Sequence, residues 1–100
     1  SPEAIERSLL KHPGVKECLV FGVPNIEAER SEIIVGCIAA QEDVRADDLK
    51  RFLLAELPAW QIPRDWWFVS SLQVNDRGKL SRTEWRRRYL KSKLQNHSVP

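Results

Sequence analysis

One stretch of the sequence combines a reactive side chain with the means to hold it outward: Asn75-Asp76-Arg77-Gly78-Lys79-Leu80-Ser81-Arg82. Asn, Asp and Gly favour a tight exposed turn, and glycine adopts backbone angles that other residues avoid. Such a turn presents Lys79 on its tip, with Gly78 supplying the turn and a helix starting just behind. A lysine ammonium is a compact, mobile charge with three donors. It suits a phosphoryl centre whose oxygens shift as bonds exchange. Taken alone, such a turn is weak evidence, because an exposed turn lysine is usually inert.

The remaining chemistry-bearing residues are scattered. Gly14, Gly22, Gly36 and Gly78 form no phosphate-cradling loop, and no Ser/His/Asp arrangement stands out. His12 precedes Pro13 at a helix end, where a structural or solvent-facing role is expected, and His97 lies in the tail. Cys18 and Cys37 have neither metal-ligand spacing nor a disulfide framework, and no metal site is expected. Both lie inside apolar strand patterns, so they are read as free, buried thiols in a reducing cytoplasm.

The elements that must position Lys79 follow from patterning. Ser1 to Lys11 reads as a helix, with Ser1 as cap, Pro2 at its first position and Ile5 and Leu9 on one face. His12-Pro13-Gly14 stops it. Val15–Val23 and Glu32–Ala40 are apolar runs suited to strands covered on both faces, and the short link between them predicts antiparallel neighbours. Asp47–Leu57 has Leu49, Phe52, Leu53 and Leu57 at helical spacing. Asp65–Val69 reads as a short aromatic strand with Trp66 and Trp67 on opposite faces. Leu72–Leu80 is a loop with a small hairpin at its centre. Ser81 opens the last helix, with Glu84 completing a capping box and Trp85, Tyr89 and Leu94 forming its apolar face. This order predicts a small single α+β domain: a short central sheet of about three strands flanked by helices, over residues 1–94, with 95–100 a frayed tail.

One hundred residues, 42% hydrophobic and 30% charged, make one globular domain too small to hold a large active-site cleft. No apolar run approaches the ~18 residues of a membrane span, and the Ser1-Pro2-Glu3 opening lacks a signal peptide's basic and apolar regions. The net charge of +2 hides an asymmetry: residues 1–56 hold eleven acids and seven bases, whereas Arg77 to Lys93 holds eight bases and one acid, Glu84. Such a tail can bind phosphate-bearing ligands, nucleic acid or an acidic surface, or form a solvated helix face; nucleic acid is not expected as a partner.

Five strings in order resemble the C-terminal domain of the adenylate-forming superfamily, which includes acyl-CoA synthetases, peptide-synthetase adenylation domains and luciferases. They are Ser1-Pro2-Glu3-Ala4-Ile5-Glu6, Leu10-Lys11-His12-Pro13-Gly14-Val15, Phe21-Gly22-Val23-Pro24-Asn25, Leu57-Pro58-Ala59-Trp60-Gln61-Ile62-Pro63-Arg64 and Gly78-Lys79-Leu80-Ser81-Arg82. Together they span residues 1 to about 90. Asn25 stands where the family usually has Asp, Ser31-Glu32 where it has Gly-Glu, and Gln73 where it often has Pro. The longer 25–31 loop and the Trp60–Arg64 string are more similar to acyl- or aryl-CoA ligases than to peptide-synthetase modules.

The resemblance implies a mobile lid on a large N-terminal adenylation domain that carries the ATP and Mg site and the pocket for a carboxylic acid substrate. That enzyme would form an acyl-adenylate and pass the acyl group to coenzyme A or phosphopantetheine. Lys79 would assist adenylation, and Arg82, a candidate for cofactor binding, would brace the lysine loop or pair across the interface. The isolated lid is expected to be inactive. The alternatives are the lid of a carrier-protein-loading adenylation domain and a stand-alone, non-catalytic binding module.

Overall fold

Alternation along the two long strands dictates the architecture. In β1 (Val15–Pro24), Cys18 and Val20 point to one face and Leu19, Phe21 and Val23 to the other, and all five are buried. A strand apolar on both sides must be covered on both sides. The computed structural model, which describes residues 1–25, 27, 28 and 31–97, provides that cover. On one face lie α1 (Pro2–Leu9) and α2 (Ala46–Leu54), whose Ile5, Leu9, Leu49 and Leu53 pack on Cys18, Val20 and Ile38. On the other lies α3 (Arg82–His97), whose Trp85 and Tyr89 pack on Leu19, Phe21, Val35 and Cys37.

The sheet is three-stranded and mixed. β2 (Glu32–Ala40) is central and antiparallel to β1, with Phe21 opposite Val35 and Leu19 opposite Cys37. β3 (Asp65–Phe68) pairs with the other edge of β2, parallel to it, because the chain between them crosses over through α2. Trp66 joins the α1/α2 core, its ring lying over Gly36, while Trp67 meets Trp85 and Tyr89 edge-on at 5.9 and 5.7 Å. The α+β class, the central sheet and the antiparallel pair are as the sequence predicts.

Several boundaries differ. α1 ends at Leu9 and α2 at Leu54, each unwinding through turns before its proline. No strand ladder forms within Leu72–Leu80; the expected hairpin is a hydrogen-bonded turn. Leu94 is 71% exposed rather than on the apolar face of α3. Nine residues beyond Trp85 is about two and a half helical turns, which carries Leu94 to the opposite side. The capping box at Ser81 is half made: Ser81 Oγ accepts from Glu84 N–H at 3.2 Å, but the Glu84 carboxylate goes to Arg87 and Arg88. α3 continues to His97; the rest of the expected tail, 98–100, and residues 26, 29 and 30 of the 25–31 loop lie outside the described residues.

Cys18 and Cys37 are free and buried, on opposite faces of the sheet. Burial pushes each thiol up to about 12, so both stay protonated and unreactive near neutrality. His12 is structural: its Nδ1 accepts the Gly14 N–H at 3.0 Å, and its ring stands edge-on to Phe52.

Candidate functional site: the lysine turn

Both ends of the Lys79 loop are anchored and its tip is free. At the leading end Leu72 is buried, its N–H donates to Glu17 Oε1 at 3.4 Å, and the Trp85 indole N–H donates to the Gln73 carbonyl at 3.2 Å. At the trailing end Leu80 packs on the α3 core. Between them residues 73–79 are exposed. Gly78 has φ +76°, the left-handed region that a side chain disfavours, and no atom lies within 4 Å of where its Cβ would stand. Glycine is therefore required there by the backbone and not by crowding. The Lys79 side chain has no hydrogen-bond or ion-pair partner among the described residues, so its ammonium is available to a ligand.

Arg82 is committed within the domain. Its Nε donates to the Val20 carbonyl at 2.9 Å and its Nη2 to the Glu6 carboxylate at 2.8 Å, while Nη1 lies 3.5 Å from Glu3. Glu6 Oε2 also accepts the Val20 N–H at 2.8 Å. Glu6 and Arg82 thus satisfy both polar groups of Val20 on the open edge of β1, as a neighbouring strand would, and Arg86 Nε extends the seal to the Gly22 carbonyl. This fixes the first residue of α3 three positions from Lys79. Glu6 is the residue that sequence reasoning missed. Its partner is 76 positions away, and the only local hint was its place among buried Ile5, Ser8 and Leu9.

The rest of the basic run is largely paired. Arg87 and Arg88 hold the Glu84 carboxyl down at about 2, and Lys93 lies 3.3 Å from Asp65. Asp65 also accepts the Tyr89 hydroxyl, and burial together with that carboxylate pushes the phenol upward. A groove lined by Val23, Ile33, Tyr89, Leu90 and Leu94 includes no residue of the lysine loop. Among the described residues no cluster of His, Cys, Asp and Glu could hold a metal ion, and no helix is long and apolar enough to cross a membrane.

The family model for the AMP-binding enzyme C-terminal domain matches residues 4–79, ending on Lys79 itself. The chain belongs to that family. As an AMP-binding C-terminal domain it is 33% identical over 84 residues to the sulfoacetate–CoA ligase of Cupriavidus necator, covering 82% of this chain and 16% of that protein. It is 34% identical over 93 residues to the fatty acid–[acyl-carrier-protein] ligase ScoC of Streptomyces coeruleorubidus, covering 88% and 17%. The fatty acyl CoA synthetase of Mycobacterium tuberculosis superposes with a TM-score of 0.82 at 25% identity, over 91% of this chain and 18% of that one. The AMP-binding C-terminal domain therefore spans about a sixth of the length of these relatives, with a much larger portion preceding the corresponding segment in two-domain neighbours.

Proposed function

We propose that this domain is the mobile lid of an acyl- or aryl-CoA ligase-like enzyme, with Lys79 assisting adenylate formation. The observation that carries the reading is an ammonium with no partner among the described residues, on the tip of an ordered turn outside the core and anchored at both ends. In the first half-reaction a substrate carboxylate oxygen bonds to the α-phosphorus of ATP as the bond to pyrophosphate breaks. Mg and the nucleotide would sit mainly in the large domain; Lys79 would reach the carboxylate and phosphate oxygens and offset their charge. Phosphoryl transfer is mostly positioning and charge stabilisation, which one placed cation can supply. In the second half-reaction a thiol sulfur bonds to the acyl carbon and AMP leaves, with the lid rotated so that Lys79 faces away. Gly78 gives the turn its shape, and Arg82 acts through the fold by fixing the start of α3. Free buried thiols support a cytoplasmic location.

Lys79→Ala in the full-length enzyme is the test. Adenylate formation should fall ~100- to 1000-fold, as for loss of a placed donor at a charge-developing centre. Thioester formation from supplied acyl-adenylate should persist. Equal loss in both half-reactions, or in neither, would remove Lys79 from this role. The likeness to a carrier-protein ligase supports a second reading of the acceptor, phosphopantetheine on a carrier protein instead of coenzyme A. Offering the full-length enzyme each thiol in turn decides between them.

A further inference from the structure

We propose that Asn75 is a positioning residue for Lys79, fixing the lysine backbone so that the ammonium is delivered to one place. Asn75 makes four hydrogen bonds within the turn. Its N–H donates to the Lys79 carbonyl at 2.7 Å and its carbonyl accepts the Gly78 N–H at 2.9 Å. Its side-chain Oδ1 accepts both the Arg77 N–H at 2.9 Å and the Lys79 N–H at 3.1 Å. Both polar backbone groups of Lys79 therefore end on one residue.

The need for such a device follows from the exposure of the tip. The lysine side chain has four rotatable bonds and touches no partner among the described residues, so only its backbone can limit where the ammonium travels. Residues 73–79 contribute no buried apolar side chain, and the core cannot order them. Hydrogen bonds inside the turn must do so. Asparagine suits the position because its acceptor reaches two inward-turned N–H groups, those of Arg77 (as in an Asx turn) and Lys79, while its own backbone closes the loop across Gly78. A misplacement of about 1 Å at a reacting centre can cost on the order of 100-fold in rate, which sets the scale of the effect.

The inference rests on the role proposed for Lys79, so the experiment separates the two. Asn75→Leu keeps the size and removes the acceptor; Asn75→Asp keeps an acceptor oxygen for both N–H groups. Amide hydrogen exchange on the present chain reads the geometry directly. Asn75→Leu should speed exchange at Arg77 and Lys79 by roughly 2- to 12-fold, the worth of one net hydrogen bond, and Asn75→Asp should not. In the full-length enzyme Asn75→Leu should lower adenylate formation about 10- to 100-fold, with thioester formation from supplied acyl-adenylate and melting temperature unchanged and the Asp variant close to wild type. Unaltered exchange in Asn75→Leu overturns the geometric claim. Faster exchange with full adenylation, while Lys79→Ala is crippled, overturns the positioning role alone. Full adenylation by Lys79→Ala overturns the reading of Lys79, and the role of Asn75 with it.

Discussion

Arg82→Ala offers the sharpest test of how the helix behind the lysine turn is held. The substitution removes the guanidinium donors to the Val20 carbonyl and the Glu6 carboxylate, leaving Glu6 with the Val20 N–H alone. The side chains are 34% and 15% exposed, so the ion pair is partly screened and partly desolvated. Hydrogen bonds to charged groups contribute ~1.5–3 kcal/mol each when well buried, and orphaning one member of a buried pair costs ~3–5 kcal/mol. Discounting for this exposure gives a loss of about 2–3 kcal/mol. The contact with Glu3, itself 57% exposed, adds little. At about 4–8 °C per kcal/mol for a domain of this size, the melting temperature should fall by roughly 10–20 °C. Thermal unfolding followed by circular dichroism measures it. Arg82→Lys should recover less than half, because one ammonium cannot serve both acceptors in the guanidinium's fork. Glu6→Gln combined with Arg82→Ala should fall well short of the sum of the single losses. A drop under about 4 °C, or simple additivity within ~0.5 kcal/mol, would refute the claim that this pair holds α3 to the sheet.

Two further outcomes are expected. Gly36→Ala places a Cβ 3.0 Å from the Trp66 ring and 3.4 Å from Pro63, so the indole must move; the cost should be about 1–3 kcal/mol, with a changed near-ultraviolet circular dichroism spectrum, and an unchanged spectrum and stability would contradict the packing. The buried thiols should make stability fall in alkali: their folded values of about 12 exceed the usual 9.0, so the unfolded chain ionises first. The stability they contribute is whole below pH 9 and is lost as pH rises towards 12, by up to about 1.4 kcal/mol per pH unit for each thiol. Urea unfolding at pH 8, 10 and 11 should show a shallower decline in the Cys18→Ala/Cys37→Ala variant; identical declines would contradict this.

Features set by local chemistry were legible in the sequence. β1 and β2 announce themselves by apolar residues that alternate between two faces, and the Lys79 turn by Asn75 and Gly78, each with a backbone preference of its own. Ser81 marks the start of α3 correctly. Features set by competition between partners were not legible. Glu84 had a choice between the N–H of Ser81 and the guanidinium groups of Arg87 and Arg88, and two charged donors prevail over one neutral donor. Leu94 was misassigned because apolar type was weighed without its helical angle. The parallel pairing of β3 depends on how the α2 crossover packs, which leaves no local trace, and the tie between Glu6 and Arg82 spans most of the chain, so that only the place of Glu6 among buried residues hints at it.

That tie has a mechanical consequence. Along the backbone Glu6 of α1 and Arg82 at the start of α3 are 76 positions apart, yet one carboxylate and one guanidinium make them neighbours. A torque applied at Ser1 reaches the base of the lysine turn through this short strut and need not travel around the sheet. The first helix and the base of the lysine turn are then coupled like the arms of a crank, so that an angle set at one is passed to the other. Severing the strut would leave both helices folded but let the crank slip on its shaft.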